Sequence, residues 1–260
     1  VDCMEEDSAG RIWVASSVGS GFAVYDDPDS LTYFSPSGSL FAPPRVSAIA
    51  TGPAGEVYLG SAQPNVWDGI AELDGESFRR ASGLSGVAVN ALCVGPGGRL
   101  WVGSNEGLAV LEEDYILSFG MSDGLSSELI TSLSCDKEGR IWIGTEGGGL
   151  CLHDGDVFQV ITVPGNPFCN TVSSIAEGSS STWIATNGGL LERQLVKGLV
   201  RVEILGITAD RDYSASEDIQ IPDSASRLTI NLRGVSDVDA SRDLVYRHRL
   251  IGYDRDWIQI

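Results

Sequence analysis

The chain has 260 residues, with 36 Asp and Glu against 17 Lys and Arg, a formal charge of −19 and 42% hydrophobic residues. That balance excludes nucleic acid and anionic membrane surfaces as partners, since both demand a basic patch, while the apolar fraction is ample for packed cores and allows two domains. No run of about 18 uncharged apolar residues occurs, and the opening Val1-Asp-Cys-Met-Glu-Glu6 lacks the basic and apolar regions of a signal peptide, so neither a spanning helix nor a leader is expected in this segment.

One phrase returns five times: Gly10-Arg-Ile-Trp-Val-Ala15, Gly55-Glu-Val-Tyr-Leu-Gly60, Gly98-Arg-Leu-Trp-Val-Gly103, Gly139-Arg-Ile-Trp-Ile-Gly144 and a worn copy, Ser181-Thr-Trp-Ile-Ala185. Its anchor aromatics Trp13, Tyr58, Trp101, Trp142 and Trp183 are spaced by 45, 43, 41 and 41 residues. A period in the low forties made of short apolar strands and Gly-rich turns is the signature of four-stranded propeller blades. The fourth copy shows the unit plainly: Thr131–Cys135, the turn Asp136–Gly139, Arg140–Thr145, the turn Glu146–Gly149, Leu150–His153, Asp154-Gly155, then Val157–Val160. Asp or Gly at the first turn position and Gly at the fourth suit a type I turn, with Asp capping it through its side chain. Asp74-Gly75 and Asp154-Gly155 read as two-residue hairpin loops.

Along the second strand residues alternate faces, which sets Ile141 and Ile143 against Trp142 and Gly144. Both faces are then buried between neighbouring blades, with each ring lying over the gap left by a minimal side chain. The five anchors are therefore core and not a sugar-stacking platform. Gly147-Gly-Gly149, Gly188-Gly189 and Glu106-Gly107 lack the Gly-Lys-Ser/Thr ending and the following helix of a phosphate loop, so they are turn glycines.

Five cysteines, Cys3, Cys93, Cys135, Cys151 and Cys169, stand at unrelated spacings without Cys-x-x-Cys or Cys/His clusters, so no zinc framework is expected and pairing stays open. The only histidines are His153 and His248, one in each half, which leaves no Ser/His/Asp or multi-histidine metal site. Acidic clusters at Asp26-Asp-Pro-Asp29, Asp210/Asp212, Asp237/Asp239 and Asp254/Asp256 lack calcium-loop spacing and fall in turns. No cofactor, metal or catalytic residue is expected.

After Lys197-Gly198 the period stops. Val200–Ile207, Asp218–Ile221, Arg227–Leu232, Leu244–Leu250 and Trp257–Ile260 read as strands of a β-sandwich between Asp/Ser-rich turns.

The apolar strands Val89–Leu92 and Val172–Ile175, the Asp/Gly-x-x-Gly turn, the Arg-Ile-Trp-Ile-Gly-Thr core and the connectors Ser82-Gly-Leu-Ser85 and Ser122-Asp-Gly-Leu-Ser126 resemble the two-component regulator propeller repeat over about residues 1–195. Tyr246 and Tyr253, with His248 where a third aromatic is usual, make residues 198–260 similar to the first part of the triple-tyrosine (Y_Y_Y) domain. The resemblance implies an all-β chain, propeller blades at 1–197 and an Ig-like sandwich at 198–260, from the extracytoplasmic sensor region of a hybrid histidine kinase or a diguanylate cyclase. It also implies a homodimer formed through the sandwich, and a periplasmic location at the bacterial inner membrane, attached by a helix outside this segment. Five blades are expected to be part of a larger propeller.

In such a blade the turn after the second strand and the connector to the next blade open on one face. Ser17, Asn105, Glu106, Ser122, Asp123, Ser126, Glu146, Asn166, Asn170 and Asn187 fall there. Amides, hydroxyls and carboxylates suit a neutral polyhydroxy ligand, and Asn105, Glu106, Glu146, Asn187, Asp123, Ser126 and Asn170 are the candidate binding residues for a small molecule or an oligosaccharide. The alternatives are a propeller lyase or hydrolase acting at the channel, and a plain interaction scaffold.

Overall fold

The computed structural model describes residues 2–16, 22–27, 30–34, 45–63, 69–74, 77–81, 84, 86–112, 115–161, 170–178, 181–194, 200–209, 211–213, 229–236, 247–248 and 258–259. The chain divides into two units, Val1–Gln194 and Leu195–Ile260.

The first unit is a β-propeller of five blades. Blade 1 comprises β1 Cys3–Glu6, β2 Ile12–Ala15, β3 Phe22–Asp27 and β4 Ser30–Phe34; blade 2 comprises β5 Ala48–Thr51, β6 Val57–Gly60, β7 Ile70–Asp74 and β8 Ser77–Ala81. Blade 3 holds β9 Val89–Val94, β10 Leu100–Ser104, β11 Gly107–Leu111 and β12 Ile116–Phe119, and blade 4 holds β13 Ile130–Cys135, β14 Ile141–Thr145, β15 Gly149–His153 and β16 Phe158–Ile161. Blade 5 is described through β17 Val172–Glu177, β18 Ser181–Thr186 and β19 Gly189–Gln194. Each blade is an antiparallel meander in chain order. The first strands β1, β5, β9, β13 and β17 pack side by side in sequence, which makes them the inner wall.

Four apolar layers fill the gaps between blades, and each joins the ring face of one blade to the aliphatic face of the next. Trp13 and Phe22 meet Val46, Val57 and Leu59; Ala50 and Ile70 meet Val89, Leu100 and Val102; Trp101 and Leu108 meet Ile130, Ile141 and Ile143; Trp142 and Leu150 meet Val172 and Ile184. Trp13, Trp101 and Trp142 are 1%, 5% and 1% exposed and Tyr58 is half-buried, but Trp183 is 40% exposed. Trp183 departs from the expected core role because, among the described residues, its face of blade 5 has no blade in front of it.

The small residue two places after each ring does not make room for the ring. It makes room for a β-branched residue at the start of the next blade. A Cβ on Gly60 would stand 2.6 Å from Val89 Cγ1, one on Gly103 would strike Ile130, and one on Gly144 would stand 2.7 Å from Val172 Cγ1 and collide with Ser132 Oγ. None of these three glycines has positive φ, so closeness and not backbone freedom selects them. Gly144→Ala is therefore expected to lower stability by about 1–3 kcal/mol through overpacking, read from the urea midpoint.

The first turns close as expected, with Gly10, Gly55, Gly98 and Gly139 donating to the carbonyl three residues earlier at 2.9, 3.1, 3.2 and 2.9 Å. All four have φ between 77° and 95°, where glycine alone is unstrained. The loop after β15 is longer than a two-residue hairpin: His153 pairs with Phe158, and Asp154 Oδ1 accepts from the Asp156 and Val157 amides at 3.2 and 3.1 Å. The loop at Gly75 lies outside the described residues.

In the second unit β20 Val200–Thr208 pairs with β21 Asp212–Tyr213 and β22 Thr229–Ser236, and β23 Arg247–His248 pairs with β24 Ile258–Gln259. A bulge between Ile204 and Gly206 breaks the long β20–β22 register. β20, β22, β23 and β24 overlap four of the five expected stretches, with β22 running on to Ser236, whereas β21 Asp212–Tyr213 lies between expected strands; Asp218–Ile221, Tyr246 and Tyr253 lie outside the described residues, and a sandwich is not formed by the strands described.

Candidate functional site: the channel mouth

At the mouth of the inner wall blades 2 to 5 each begin with an aliphatic residue followed by a polar one: Val46-Ser47, Val89-Asn90, Ile130-Thr131 and Val172-Ser173. The four aliphatics are 0–1% exposed. The polar partner reaches across to the carbonyl of the next blade's aliphatic: Ser47 Oγ donates to Val89 O at 2.6 Å, Asn90 Nδ2 to Ile130 O at 3.0 Å, and Thr131 Oγ1 to Val172 O. One hydrogen bond thus stitches each of these inner strands to its successor. Sequence reasoning read Val89-Asn90 and Val172-Ser173 only as strand starts, began the fourth blade at Thr131 and passed over Val46-Ser47, although the recurrence of the pair with the repeat period was the available signal.

The candidate binding residues surround this stitching. Asn105 is exposed and its Oδ1 accepts from Asn90 Nδ2 at 2.6 Å, so it orients the amide that joins blades 3 and 4. Asn187 and Asn170 are exposed and paired, Nδ2 to Oδ1 at 3.4 Å, and Asn187 Oδ1 also accepts from the Thr171 amide at 3.4 Å. Ser126 Oγ lies 3.4 Å from Thr145 Oγ1, and Ser127 Oγ donates to Glu146 O at 3.0 Å. Glu106 and Glu146 are exposed turn residues, and the Glu106 amide donates to Ser104 Oγ at 3.0 Å. Asp123 acts on its own turn, where its Oδ2 accepts from the Gly120 amide at 2.8 Å and closes the short 3-10 segment Met121–Asp123. Ser17 and Asn166 lie outside the described residues.

The expected sharing of one face is visible in the backbone. Gly107 N donates to Glu128 O at 2.9 Å, Glu146 N to Leu129 O at 2.8 Å, Gly149 N to Asn170 O at 2.9 Å and Asn187 N to Thr171 O at 3.0 Å, so each second-strand turn is tied to the connector beside it. The resulting surface offers exposed amides, hydroxyls and carboxylates on a rigid base.

The opposite end of the strands carries a network that sequence reasoning saw only as a turn cap. The Asp136 side chain is 0% exposed; Oδ1 accepts from the Glu138 and Arg140 amides at 3.0 and 2.8 Å, and Oδ2 from Arg140 Nε at 2.6 Å and Trp142 Nε1 at 3.0 Å. Asp7 repeats this with Ala9, Arg11 and Trp13 at 2.9, 3.0, 2.7 and 2.8 Å. Burial pushes the Asp7 carboxyl up, but the bonds from Trp13, Arg11 and Ala9 outweigh it and hold the group below the usual carboxylate range. In blade 2, which has Gly52 and no indole, Glu56 Oε2 takes the turn amide of Ala54 at 2.9 Å. In blade 3 Gly95 supplies no carboxylate, and Trp101 Nε1 is buried without a partner among the described residues. A Cβ at Gly95 would stand 2.6 Å from that nitrogen, so the ring occupies the vacated space.

His153 is 6% exposed and wedged between Trp101 and Phe119 of blade 3 and Phe158 of blade 4, with centroid distances of 5.1, 5.9 and 4.5 Å. Its Nδ1 accepts from the Gly155 amide at 3.3 Å. Burial pushes its pKa down, partly opposed by Asp154 and Asp156. The neutral ring therefore contributes stability that is complete above the unfolded value of about 6.5 and is lost as pH falls towards the folded value. His153→Phe is expected to flatten this part of the stability profile, read as the thermal midpoint at pH 7.5 against pH 5.5.

Burial pushes the Cys3 thiol up to about 12 and Cys151 up to about 11, and it raises the Cys93 thiol well above the usual range, so these are not nucleophiles. Cys3, Cys93, Cys135 and Cys151 are free thiols, and Cys169 lies outside the described residues. Among the described residues no group of His, Cys, Asp and Glu is arranged to hold a metal ion, and no helix is long and apolar enough to cross a membrane.

Residues 124–147 match the family model of the two component regulator propeller. They run from the connector before blade 4 through β13 and β14, so the match falls on scaffold positions such as Leu125, Ile130, Trp142 and Gly144. No curated protein matches the chain. Among solved structures it is similar to the extracellular domain of BT3049 of B. thetaiotaomicron, a protein assigned to the hybrid two component systems, with 20% identity, a TM-score of 0.56, and 76% of this chain and 29% of that one covered. The corresponding domain of BT4673 of the same organism gives 17%, 0.55, 76% and 29%. A catalytically inactive virginiamycin B lyase from Staphylococcus aureus gives 12%, 0.56, 74% and 65%. The alignments thus span 29% of the length of the two sensor domains. At these identities the likeness establishes the propeller fold.

Proposed function

We propose that the chain is part of the extracytoplasmic, ligand-sensing region of a two-component sensor of the hybrid histidine kinase type, and that this segment is not catalytic. The observation that carries this reading is the match of residues 124–147 to the two component regulator propeller, supported by fold likeness to two extracellular domains of hybrid two component systems. The ligand is a neutral carbohydrate, taken at the channel mouth by Asn105, Glu106, Glu146, Asn170 and Asn187 with Ser126 and Asp123 beside them. Hydroxyl-rich ligands are matched by paired amides, which both donate and accept, and a chain of net charge −19 repels sulfated or uronic glycans. Residues 198–260 are the start of the triple-tyrosine sandwich, through which the parent dimerises at the periplasmic face of the inner membrane.

A second reading, an enzyme at the channel, has the likeness to the lyase in its favour. Against it, His153 lies in an aromatic wedge with Nδ1 engaged. Calorimetric titration of the chain against neutral and uronic oligosaccharides, with product analysis of each mixture, separates the two. The sensor reading expects a heat of binding for neutral sugars alone with every oligosaccharide recovered intact; cleavage or binding of uronic sugars alone overturns it.

A further inference from the structure

At the channel mouth blade 3 departs from its neighbours. The place held by the hydroxyls of Ser47, Thr131 and Ser173 in blades 2, 4 and 5 is held there by Asn90, and the second-strand turn beside it opens with another amide, Asn105. A hydroxyl carries one proton, and Ser47 and Thr131 give theirs to the joint with the next blade. A carboxamide carries two donor protons and an acceptor oxygen at fixed angles. Asn90 Nδ2 spends both protons inside the protein, on Ile130 O at 3.0 Å and on Asn105 Oδ1 at 2.6 Å. These bonds fix the orientation of both amides. A peptide carbonyl only accepts, so the atom facing Ile130 O is Nδ2, and the atom that takes its other proton is Asn105 Oδ1.

What the pair leaves over is an acceptor beside a donor. Asn90 Oδ1 and the Asn105 amino group have no hydrogen-bond partner among the described residues, and the reciprocal bond between them is not made. Asn90 is half-buried on the wall and Asn105 is exposed on the rim. The amide of Asn187, by contrast, is engaged at both ends, by Asn170 and by the Thr171 amide.

We propose, on the carbohydrate reading of the mouth, that Asn90 and Asn105 form a subsite for a vicinal diol of a neutral sugar, with Asn90, which also stitches blades 3 and 4, as its specificity-determining member. One hydroxyl of the diol donates to Asn90 Oδ1, and its neighbour accepts from Asn105 Nδ2. A hydroxyl serves either role, so two adjacent hydroxyls match an acceptor beside a donor. A carboxylate or sulfate has no proton for Asn90 Oδ1 and meets its lone pairs instead, with the exposed Glu106 next in the chain. An ammonium or metal ion meets the protons of the Asn105 amino group. The bond to Ile130 O holds the acceptor in place before the ligand arrives, so little ordering cost falls on binding.

Calorimetric titration of the parent and of Asn90→Ser with neutral oligosaccharides of glucose, mannose, galactose and xylose tests the subsite. Serine keeps the stitch, since Ser47 makes the same reach in blade 2 at 2.6 Å, but it offers no carboxamide oxygen. For the sugar that binds the parent, affinity should fall on the order of tenfold in the variant, titrated where the variant is fully folded. A second measurement needs no variant: the side-chain amide proton signals of Asn90 and Asn105 in the isotope-labelled parent should shift on saturation with that sugar. Equal affinity of parent and variant, or unmoved amide signals at saturation, overturns the diol subsite and leaves a carbohydrate at the mouth. Absence of binding by the parent to every one of these sugars removes the carbohydrate reading and the subsite with it.

Discussion

Asp136→Ala is expected to lower the unfolding free energy by about 3–5 kcal/mol, the loss typical of removing one partner from a buried ionic cluster. The carboxylate has no solvent to fall back on, and four donors converge on it. Its removal strands Trp142 Nε1 inside the layer between blades 4 and 5, loosens the turn that starts β14 and frees the Arg140 guanidinium. Asp136→Asn keeps an acceptor for the turn amides but loses the charge opposite Arg140, so it should cost less than the alanine variant. Blade 3 supplies an internal reference, since Trp101 already stands without such a carboxylate. Urea denaturation of the two variants, with Pro96→Ala in the corresponding turn of blade 3 as a near-silent control, checks the ordering.

Trp142→Ala is expected to cost a further large amount, about 3–5 kcal/mol, because a fully buried ring leaves a cavity that two rigid sheets cannot close. Trp183→Ala, the same residue in the same repeat position, should stay within about 1 kcal/mol, since its ring is 40% exposed and packs against no following blade among the described residues. Arg193 lies over the Trp142 ring at 5.4 Å, so the cavity also removes a cation–π contact that blade 5 makes with blade 4. Equal losses at the two positions would show that the repeat phrase acts within a blade and not between blades.

The architecture was legible because its signals are periodic. Five rings at a low-forties spacing, turn glycines and alternating aliphatics define the blades, and the structure places Trp13, Trp101 and Trp142 in the layers the alternation required. Trp183 was misplaced for a reason that no local pattern carries: burial of a blade face depends on its neighbour. The purpose of Gly60, Gly103 and Gly144 was likewise misread, since a side chain there meets residues 29, 27 and 28 positions further on, at Val89, Ile130 and Val172, and at Gly144 also Ser132 of the same blade. The Asp-x-x-x-Arg-x-Trp spacing was present in blades 1 and 4 but was read as a turn cap alone, because a carboxylate that satisfies a turn looks complete until the indole is seen to reach it. At the channel mouth the sequence placed exposed polar residues correctly on turns and connectors, yet it could not separate those that hold the blades together, such as Asn105 through Asn90, from Asp123, which closes its own turn.

The repeated phrase is scaffold, and recognition is proposed to lie in the amides between its copies. The most direct test is calorimetric titration of one neutral oligosaccharide ligand into the parent chain, the double variant Asn105→Ala/Asn187→Ala, and Trp183→Ala. The account predicts that the double variant loses at least about tenfold in affinity, equivalent to about 1.4 kcal/mol, when titrated at a temperature where it is fully folded, while Trp183→Ala binds as the parent does. Full affinity in the double variant, or loss of binding on Trp183→Ala alone, would contradict it.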